Sequence, residues 1–382
     1  MEVFLVGGAV RDFLLAKING DFKTPADVNN YWMTVEKDWV VVNSAPEEML
    51  ALGYRRVGKS FPVFLHPDTK EEHALARTER KVAKGYTGFE CYAEKDVTLE
   101  EDLQRRDLTI NAIAMRVLSP DFSTYELIDP YQGEQDLKNR LFRHISPAFA
   151  EDPVRVLRVA RLAARFGNFE INSDTLLLMK KMVAEGEIDA LVPERVWQEW
   201  ARSLQENYPW RFFDVLENCN AQQKLFPEIK NFAVKQKILM KVIEEHPSDT
   251  LRFAIEVFDM DEHAFLRLIN QYRIPTDFRD LALIVIKYYP FYTSLIWESE
   301  TILTLFERTD AFRRRHRFND FLMICHYLAG DQDKIKSSRL LALLTELTKI
   351  DNAAIGSQGF KGEAFAAKLR EIRIATIDTY LQ

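Results

Sequence analysis

Apolar residues in the first third of the chain come in short runs, and those runs read as strands. They lie at residues 3–6, 39–42, 62–66, 72–77 and 125–128, each too short for a helix and bounded by polar or turn-forming residues. Gly7 and Gly8 follow the first run, and the mixed stretch from Ala9 to Leu15 reads as the opening of a helix. Ser44, Ala45, Pro46 and Glu47 form a capping-box pattern that predicts a helix through Leu52. Residues 17–34 contain Asn19, Gly20, Pro25, Asn29 and Asn30, and read as an irregular loop. From about residue 143 the strand signal fades and a helical period takes over, as in Val196, Trp200 and Leu204 at i, i+4, i+8 of a helix opening at Pro193. The pattern predicts an α+β head followed by an all-helical remainder, with no internal repeat and no low-complexity tract.

Composition narrows the class. A chain of 382 residues has room for two to three domains, and 47% hydrophobic with 29% charged residues describes a soluble globular protein rather than a disordered one. A formal net charge of −7 excludes a protein that is basic all over, but leaves room for a local basic stripe. Cys91, Cys219 and Cys325 are far apart, show no zinc spacing and suggest no disulfide framework, which fits a reducing cytoplasm. The start of the chain lacks signal-peptide character, and no apolar run reaches the length of a membrane span.

Three constellations carry the chemistry. The first is Gly7, Gly8 and Arg11 after a strand, with Glu36 and Asp38 directly before the run at 39–42. Glycines permit close backbone approach to a phosphate, and a helix start offers free N–H groups to an anion. Arg11 adds a planar cation matched to phosphate oxygens. Residues i and i+2 of a strand share a face, so Glu36 and Asp38 can share one cation, and hard oxygen ligands suit Mg²⁺. Each feature taken alone also reads as a tight turn or a solvated strand end; taken together they point to a nucleoside triphosphate and its metal.

The second lies at residues 99–115, where Leu99, Leu103 and Ile110 fall on one helical face with Arg106 at its edge. Asp107 and Asn111, four apart, can face one ligand from a single helix, and a carboxylate beside an amide suits sugar hydroxyls. A salt-bridged surface helix is the competing reading. The third runs from Glu151, where Arg155, Arg158, Arg161 and Arg165 are spaced 3, 3 and 4 among apolar residues. That spacing places them on one stripe of a mostly buried helix, where like charges need anions or acceptors. Asp152 before Pro153 reads either as an N-cap or as an acceptor beside the Arg155 donors, a pair able to read a base edge.

These stretches, in this order, resemble the motifs of class II tRNA nucleotidyltransferases, the CCA-adding enzymes of the DNA polymerase β-like superfamily. The similarity extends through residues 61–67, 74–81, 85–89, 128–131, 193–197 and 225–229, is dense to about residue 230, and looks closest to the proteobacterial type. It implies a polymerase β-like head at residues 1–142, a helical neck with a nucleotide-selecting helix at 143–205, a helical body at 206–310 and a helical tail at 311–382. By the same resemblance, Glu36 and Asp38 would hold Mg²⁺, with Glu72 on a neighbouring strand as a third carboxylate. Gly8 and Arg11 would touch the triphosphate. Arg106, Asp107 and Asn111 would hold sugar and phosphates. Asp152 and Arg155 would select CTP or ATP, supported by Arg158 and Arg161. Residues 85–89 resemble the loop used in switching from C to A. The implied reaction is template-independent attack of a tRNA 3′ hydroxyl on the α-phosphate, with release of pyrophosphate. The implied partners are the tRNA acceptor end, CTP and ATP, with no membrane, for a monomer or homodimer.

Three departures from the family pattern stand out. Glu36 occupies a position where Asp is usual, residues 17–34 lengthen the gap before it, and His246, His263, His316 and His326 are scattered with no Asp following any of them. The last of these predicts no His-Asp phosphohydrolase activity. Arg313, Arg314, Arg315 and Arg317 form the densest basic cluster and read either as a tRNA phosphate contact or as a solvated helix face. Competing activities are a poly(A) polymerase, an enzyme adding only C, and an inactive RNA-binding relative.

Overall fold

A computed structural model of the chain describes residues 1–57, 63–81, 89–245, 248–330 and 333–382. The chain forms two compact units, residues 1–196 with 214–222, and residues 197–213 with 223–382.

The first unit is built on a mixed sheet. In chain order its strands are β1 (Glu2–Val6), β2 (Asp38–Val42), β3 (Arg55–Val57), β4 (Val63–Leu65), β5 (Glu72–Leu75), β8 (Ala114–Val117) and β9 (Tyr125–Ile128). Between β5 and β8, a separate hairpin pairs β6 (Thr78–Lys81) with β7 (Phe89–Tyr92). The strand order is β3-β4-β5-β2-β1-β8-β9. β1 is antiparallel to β2, with Val6 opposite Asp38, and β2 is parallel to β5, with Asp38 opposite Glu72. Alternation assigns the two faces: Phe4, Val6, Val40 and Ala114 pack in one apolar cluster, while Val41, Phe64 and Leu75 pack in another with Met49 and Tyr54. The expected runs are thus strands, with β3, β8 and the hairpin in addition. Phe61 and Pro62, and the expected switching loop at residues 85–88, lie outside the described residues.

The expectation of an irregular loop at residues 17–34 is corrected. Helix α1 runs Gly8–Asn19 and a second helix, α2, runs Pro25–Thr34. Thr24 and Asp27 form a reciprocal capping box with Pro25 in the first turn, so the proline that reads as a breaker is a helix start. Aromatic packing then holds α2 in place. Trp32 is buried, stacking on Phe122 with ring centroids 4.6 Å apart and lying 4.7 Å from Phe13. Tyr31 donates to the Ala9 carbonyl at 2.6 Å.

The expected helix over 99–115 is also interrupted. Helix Leu99–Gln104 starts at a Thr98/Glu101 capping box, and a 3₁₀ turn at Thr109–Asn111 follows a break. Tertiary pairing makes the break, because Leu108 bridges His144 and the Thr109 N–H donates to the Arg143 carbonyl at 2.9 Å. Beyond the sheet, helix Val154–Arg165 buries eight of its apolar side chains, from Val154 to Ala164. A two-residue parallel pair, Leu141–Phe142 with Glu170–Ile171, is a strand element that the fading periodicity does not announce.

The second unit is helical, with Thr276–Thr293 and Gly362–Leu381 its longest elements. Trp200 packs against Phe226 and Phe253 at 4.9 and 5.1 Å between centroids and donates to Glu256 at 2.6 Å. No helix among the described residues is long and apolar enough to cross a membrane.

Two stability predictions follow from this packing. A Cβ on Gly133 would lie 2.3 Å from the Thr109 carbonyl oxygen, a backbone atom. Gly133→Ala is expected to lower unfolding free energy by about 1–3 kcal/mol in chemical denaturation. Burial pushes the Glu256 carboxyl up from 4.5 to about 8, against the opposing Trp200 hydrogen bond and Lys235 charge. The folded state therefore binds that proton more tightly than the unfolded state, and its contribution to stability, full below about 4.5, is lost as pH rises through about 8. Glu256→Gln is expected to flatten that slope in denaturation measured across the interval.

Candidate active site

The first unit carries a cleft of about 700 Å³ lined by Gly7, Gly8, Arg11, Glu36, Asp38, Asp107, Asn111 and Asp152 together with a set of arginines. β1 delivers the chain to Gly7, which turns with φ 73° and ψ −137°, a conformation open to glycine, before α1 begins at Gly8. A Cβ on Gly7 would stand 3.5 Å from Arg106 Nη1 and 3.9 Å from Asp38 Oδ2, so the turn, an arginine and a carboxylate converge. Glu36 lies just before β2 rather than on it, so the two carboxylates do not share a strand face by alternation; both nevertheless line the cleft. Glu72 opens β5 opposite Asp38 and is exposed, without being among the cleft-lining residues.

The Asp38 carboxyl is raised above its ordinary range. Burial by surrounding protein is the main cause, Arg106 opposes it, and the charges of Glu36 and Glu72 add to it. Carboxylates that repel one another in this way are a donor set for a hard cation. Among the described residues, no cluster of three or more acidic, imidazole or thiol side chains is assembled to hold a metal by itself. A carboxylate pair fits an ion such as Mg²⁺, which takes one or two carboxylates and completes its shell with phosphate oxygens and water.

Asp107 and Asn111 meet despite the break in their helix. Asn111 Nδ2 donates to Asp107 Oδ1 at 2.9 Å, and Arg11 Nη1 donates to Asn111 Oδ1 at 2.7 Å. The Leu108 N–H also reaches Asp107 Oδ1, and Arg158 Nε reaches Oδ2 at 2.7 Å. Burial alone would raise the Asp107 carboxyl, but the Arg158 charge and the Asn111 amide hold it well below the usual carboxylate range. Asp107 is therefore ionised and buried, and its first role is to fix its neighbours. Arg106 donates to the fully buried Asp102 at 3.1 Å, and its Nε is buried with no hydrogen-bond partner among the described residues.

The arginine stripe is real, and the protein itself compensates part of it. Arg155 donates to the Ala148 carbonyl at 3.0 Å and to the Arg105 carbonyl. Arg158 pairs with Asp107, and Arg165 pairs with Asp12 at 2.7 Å. Arg155, Arg158 and Arg161 line the cleft, whereas Arg165 is not among the lining residues. Asp152 serves the local role and a tertiary one. Its Oδ1 accepts from the Val154 N–H at 3.0 Å, and Arg195 spans both of its oxygens at 3.4–3.5 Å.

Arg77, Arg105 and Arg195 line the cleft without having been singled out by sequence reasoning. Arg105 shares Asp102 with Arg106, and the Arg77 N–H reaches the same carboxylate at 3.3 Å. The available signal was a charge bordering apolar runs, as for Arg77 after β5 and Arg195 within the amphipathic helix Pro193–Leu204.

In the second unit the basic cluster is largely engaged. Arg314 and Arg317 each reach Asp280 at 3.4 Å, Arg313 reaches Asp310 at 4.0 Å, and Arg315 donates to Thr345 at 2.6 Å.

Comparison with known proteins agrees with this geometry. The model of the poly A polymerase head domain matches residues 3–143, and that of a probable RNA and SrmB-binding site of polymerase A matches residues 168–232. A CCA-adding enzyme of Coxiella burnetii is 47% identical over 382 residues, covering 100% of this chain and 96% of its own. A multifunctional CCA protein of Nitrosococcus oceani is 43% identical, covering 99% and 98%. A solved CCA-adding enzyme in complex with CTP has a TM-score of 0.67 at 24% identity, covering 98% of this chain and 87% of its own. With a glycine turn, a carboxylate pair and an arginine-rich helix around one cleft, and with full-length relatives of this kind, the chain belongs to the family of CCA-adding nucleotidyltransferases.

Proposed function

We propose that this chain completes the 3′ end of tRNA by adding C, C and A from CTP and ATP, without a nucleic-acid template, and that it does so in the cytoplasm. The observation that carries the reading is a cleft lined together by Glu36, Asp38, the glycine turn and the arginines of the helix Val154–Arg165. Glu36 and Asp38 would hold Mg²⁺, with Glu72 as the third carboxylate. When bound, that ion supplies charge neutralisation at the reacting phosphate and lowers the pKa of the attacking hydroxyl.

The rest is done by the chain's own residues. Gly8 lets the backbone approach the triphosphate, and Arg11 and Arg106, which line the cleft, offer donors to its oxygens. Asp107 and Asn111 take the sugar side, with the buried Asp107 holding Asn111 in orientation. Asp152 and Arg155 read the base edge. Both line the cleft, and a carboxylate beside a guanidinium offers an acceptor and donors side by side, the pattern that a base edge requires. Arg158 and Arg161 support base and phosphates. The tRNA 3′ hydroxyl attacks the α-phosphate and pyrophosphate leaves; binding the triphosphate through several arginines opposes the charge that builds there. Arg313, Arg314 and Arg317 would reach the tRNA body by exchanging their carboxylate partners for phosphates, and Arg315 by exchanging the Thr345 hydroxyl.

The decisive test supplies Mg²⁺ and a tRNA lacking its CCA, with CTP and ATP singly and together. Ordered addition of C, C and A that then stops is expected. Long A tracts, addition of C alone, or binding without incorporation would each overturn the reading in favour of a different activity. Asp38→Asn should lower turnover by about three orders of magnitude with tRNA affinity unchanged, as measured by single-turnover incorporation and filter binding. Because the Asp38 carboxyl is raised, apparent Mg²⁺ affinity should fall on acidification at a pH above the ordinary aspartate value of about 3.9, as read from metal titrations across pH.

A further inference from the structure

Arg11 is 6% exposed and all three of its guanidinium nitrogens are accounted for. Nη1 donates to Asn111 at 2.7 Å and Nε to Asp12 at 2.8 Å, while Nη2 stands 3.6 Å from where a Gly8 Cβ would lie. Two nitrogens are therefore held by the protein and the third faces the glycine turn. Behind Arg11, Asp12 takes a second bond from Arg165 Nη2 at 2.7 Å. The Phe166 ring is near both cations, its centroid 5.0 Å from the Arg11 guanidinium and 5.4 Å from that of Arg165.

These bonds close a ring. From Arg11 the hydrogen bonds run through Asn111 and Asp107 to Arg158, two helical turns along Val154–Arg165 to Arg165, and through Asp12 back to Arg11. Neither Asp12 nor Arg165 is among the residues that line the cleft.

We propose that Asp12 and Arg165 are positioning residues for nucleotide binding: they aim Arg11 at the triphosphate and lock the start of the first helix to the far end of the arginine-bearing helix, so that phosphate grip and base reading share one frame. The proposal rests on the assignment of Arg11 to the triphosphate. A guanidinium pre-aimed by two acceptors and a ring loses less rotational freedom on binding than a free one, and its owner binds more tightly for that reason. The loss on releasing Arg165 therefore falls on nucleotide affinity rather than on the chemical step.

The test uses the full chain with a tRNA lacking CCA, and measures KM for CTP and ATP, kcat and thermal midpoint. Arg165→Ala and Asp12→Asn should each raise both nucleotide KM values about tenfold with kcat changed less than about threefold. Arg165→Lys, which keeps the charge, should recover most of the loss. The double variant should be no worse than the worse single one, since Arg165 reaches Arg11 through the Asp12 carboxylate. In an Arg11→Ala background, neither should add to the rise in KM. A lowered midpoint with unchanged KM, or a loss confined to kcat, would make the bridge merely structural and overturn the proposal. If Arg11→Ala raises KM while Asp12→Asn and Arg165→Lys or Ala do not, the positioning role fails and the triphosphate assignment stands. If Arg11→Ala leaves KM untouched, both fail together. Should Arg165→Ala not fold, Asp12→Asn and the nucleotide-induced rise in thermal midpoint carry the same comparison.

Discussion

The cleft depends on one buried charge. Asp107 sits where water cannot solvate it, and a carboxylate in that position persists only if its oxygens are satisfied by donors and a cation. Arg158 supplies the cation; Asn111 and the Leu108 N–H supply the donors. Each partner is thereby held in turn. Asn111 is oriented to accept from Arg11, and Arg158 is pulled from the helix Val154–Arg165 toward the sheet-bearing part of the same unit. Removing one member of such a set leaves an uncompensated buried charge, at a cost of about 3–5 kcal/mol, so the arrangement is close to all-or-none.

That constraint explains how a chain of net charge −7 presents a cationic cleft. The arginines are concentrated on one helix and its neighbours, and their mutual repulsion is answered from within by Asp12, Asp102, Asp107 and Asp152. A guanidinium has more donors than a single carboxylate can take, so pairing within the protein and contact with a ligand are compatible roles for one arginine. In the same cleft burial raises the Asp38 carboxyl, the charges of Glu36 and Glu72 add to the rise, and Arg106 opposes it. The cleft thus sets cation-seeking carboxylates against anion-seeking arginines, which is the polarity that a metal-bound triphosphate requires.

Much of this was legible along the chain, and each failure of reading has a specific physical cause. Residues 17–34 look like a loop because Asn, Gly and Pro are counted as breakers, yet Thr24, Pro25 and Asp27 are start signals when read as a cap. The periodicity at 99–115 is sound as far as Gln104, after which pairing of Leu108 and Thr109 with the segment at 143–144 overrides helix propensity. Arg195 lies in a stretch with helical period, but its spacing does not show its place at the site, because the partner that fixes it, Asp152, is more than forty residues away.

What the sequence determined by itself is the kind of elements and the kind of chemistry. Apolar runs and periodicity set a mixed strand and helix head before residue 143 and a mainly helical remainder after it; the glycine turn, the carboxylate pair and the arginine spacing point to a phosphate-handling site, and the order of the motifs to the family they resemble. The tertiary structure alone decided which charges face a ligand and which are consumed in holding the site together. Arg158 and Arg165 occupy equivalent places in the stripe, yet one lines the cleft and the other braces Arg11 from behind. The physical reason is that the strength and use of an ion pair depend on burial and distance across the fold, and one-dimensional spacing constrains neither once the partners lie on different elements.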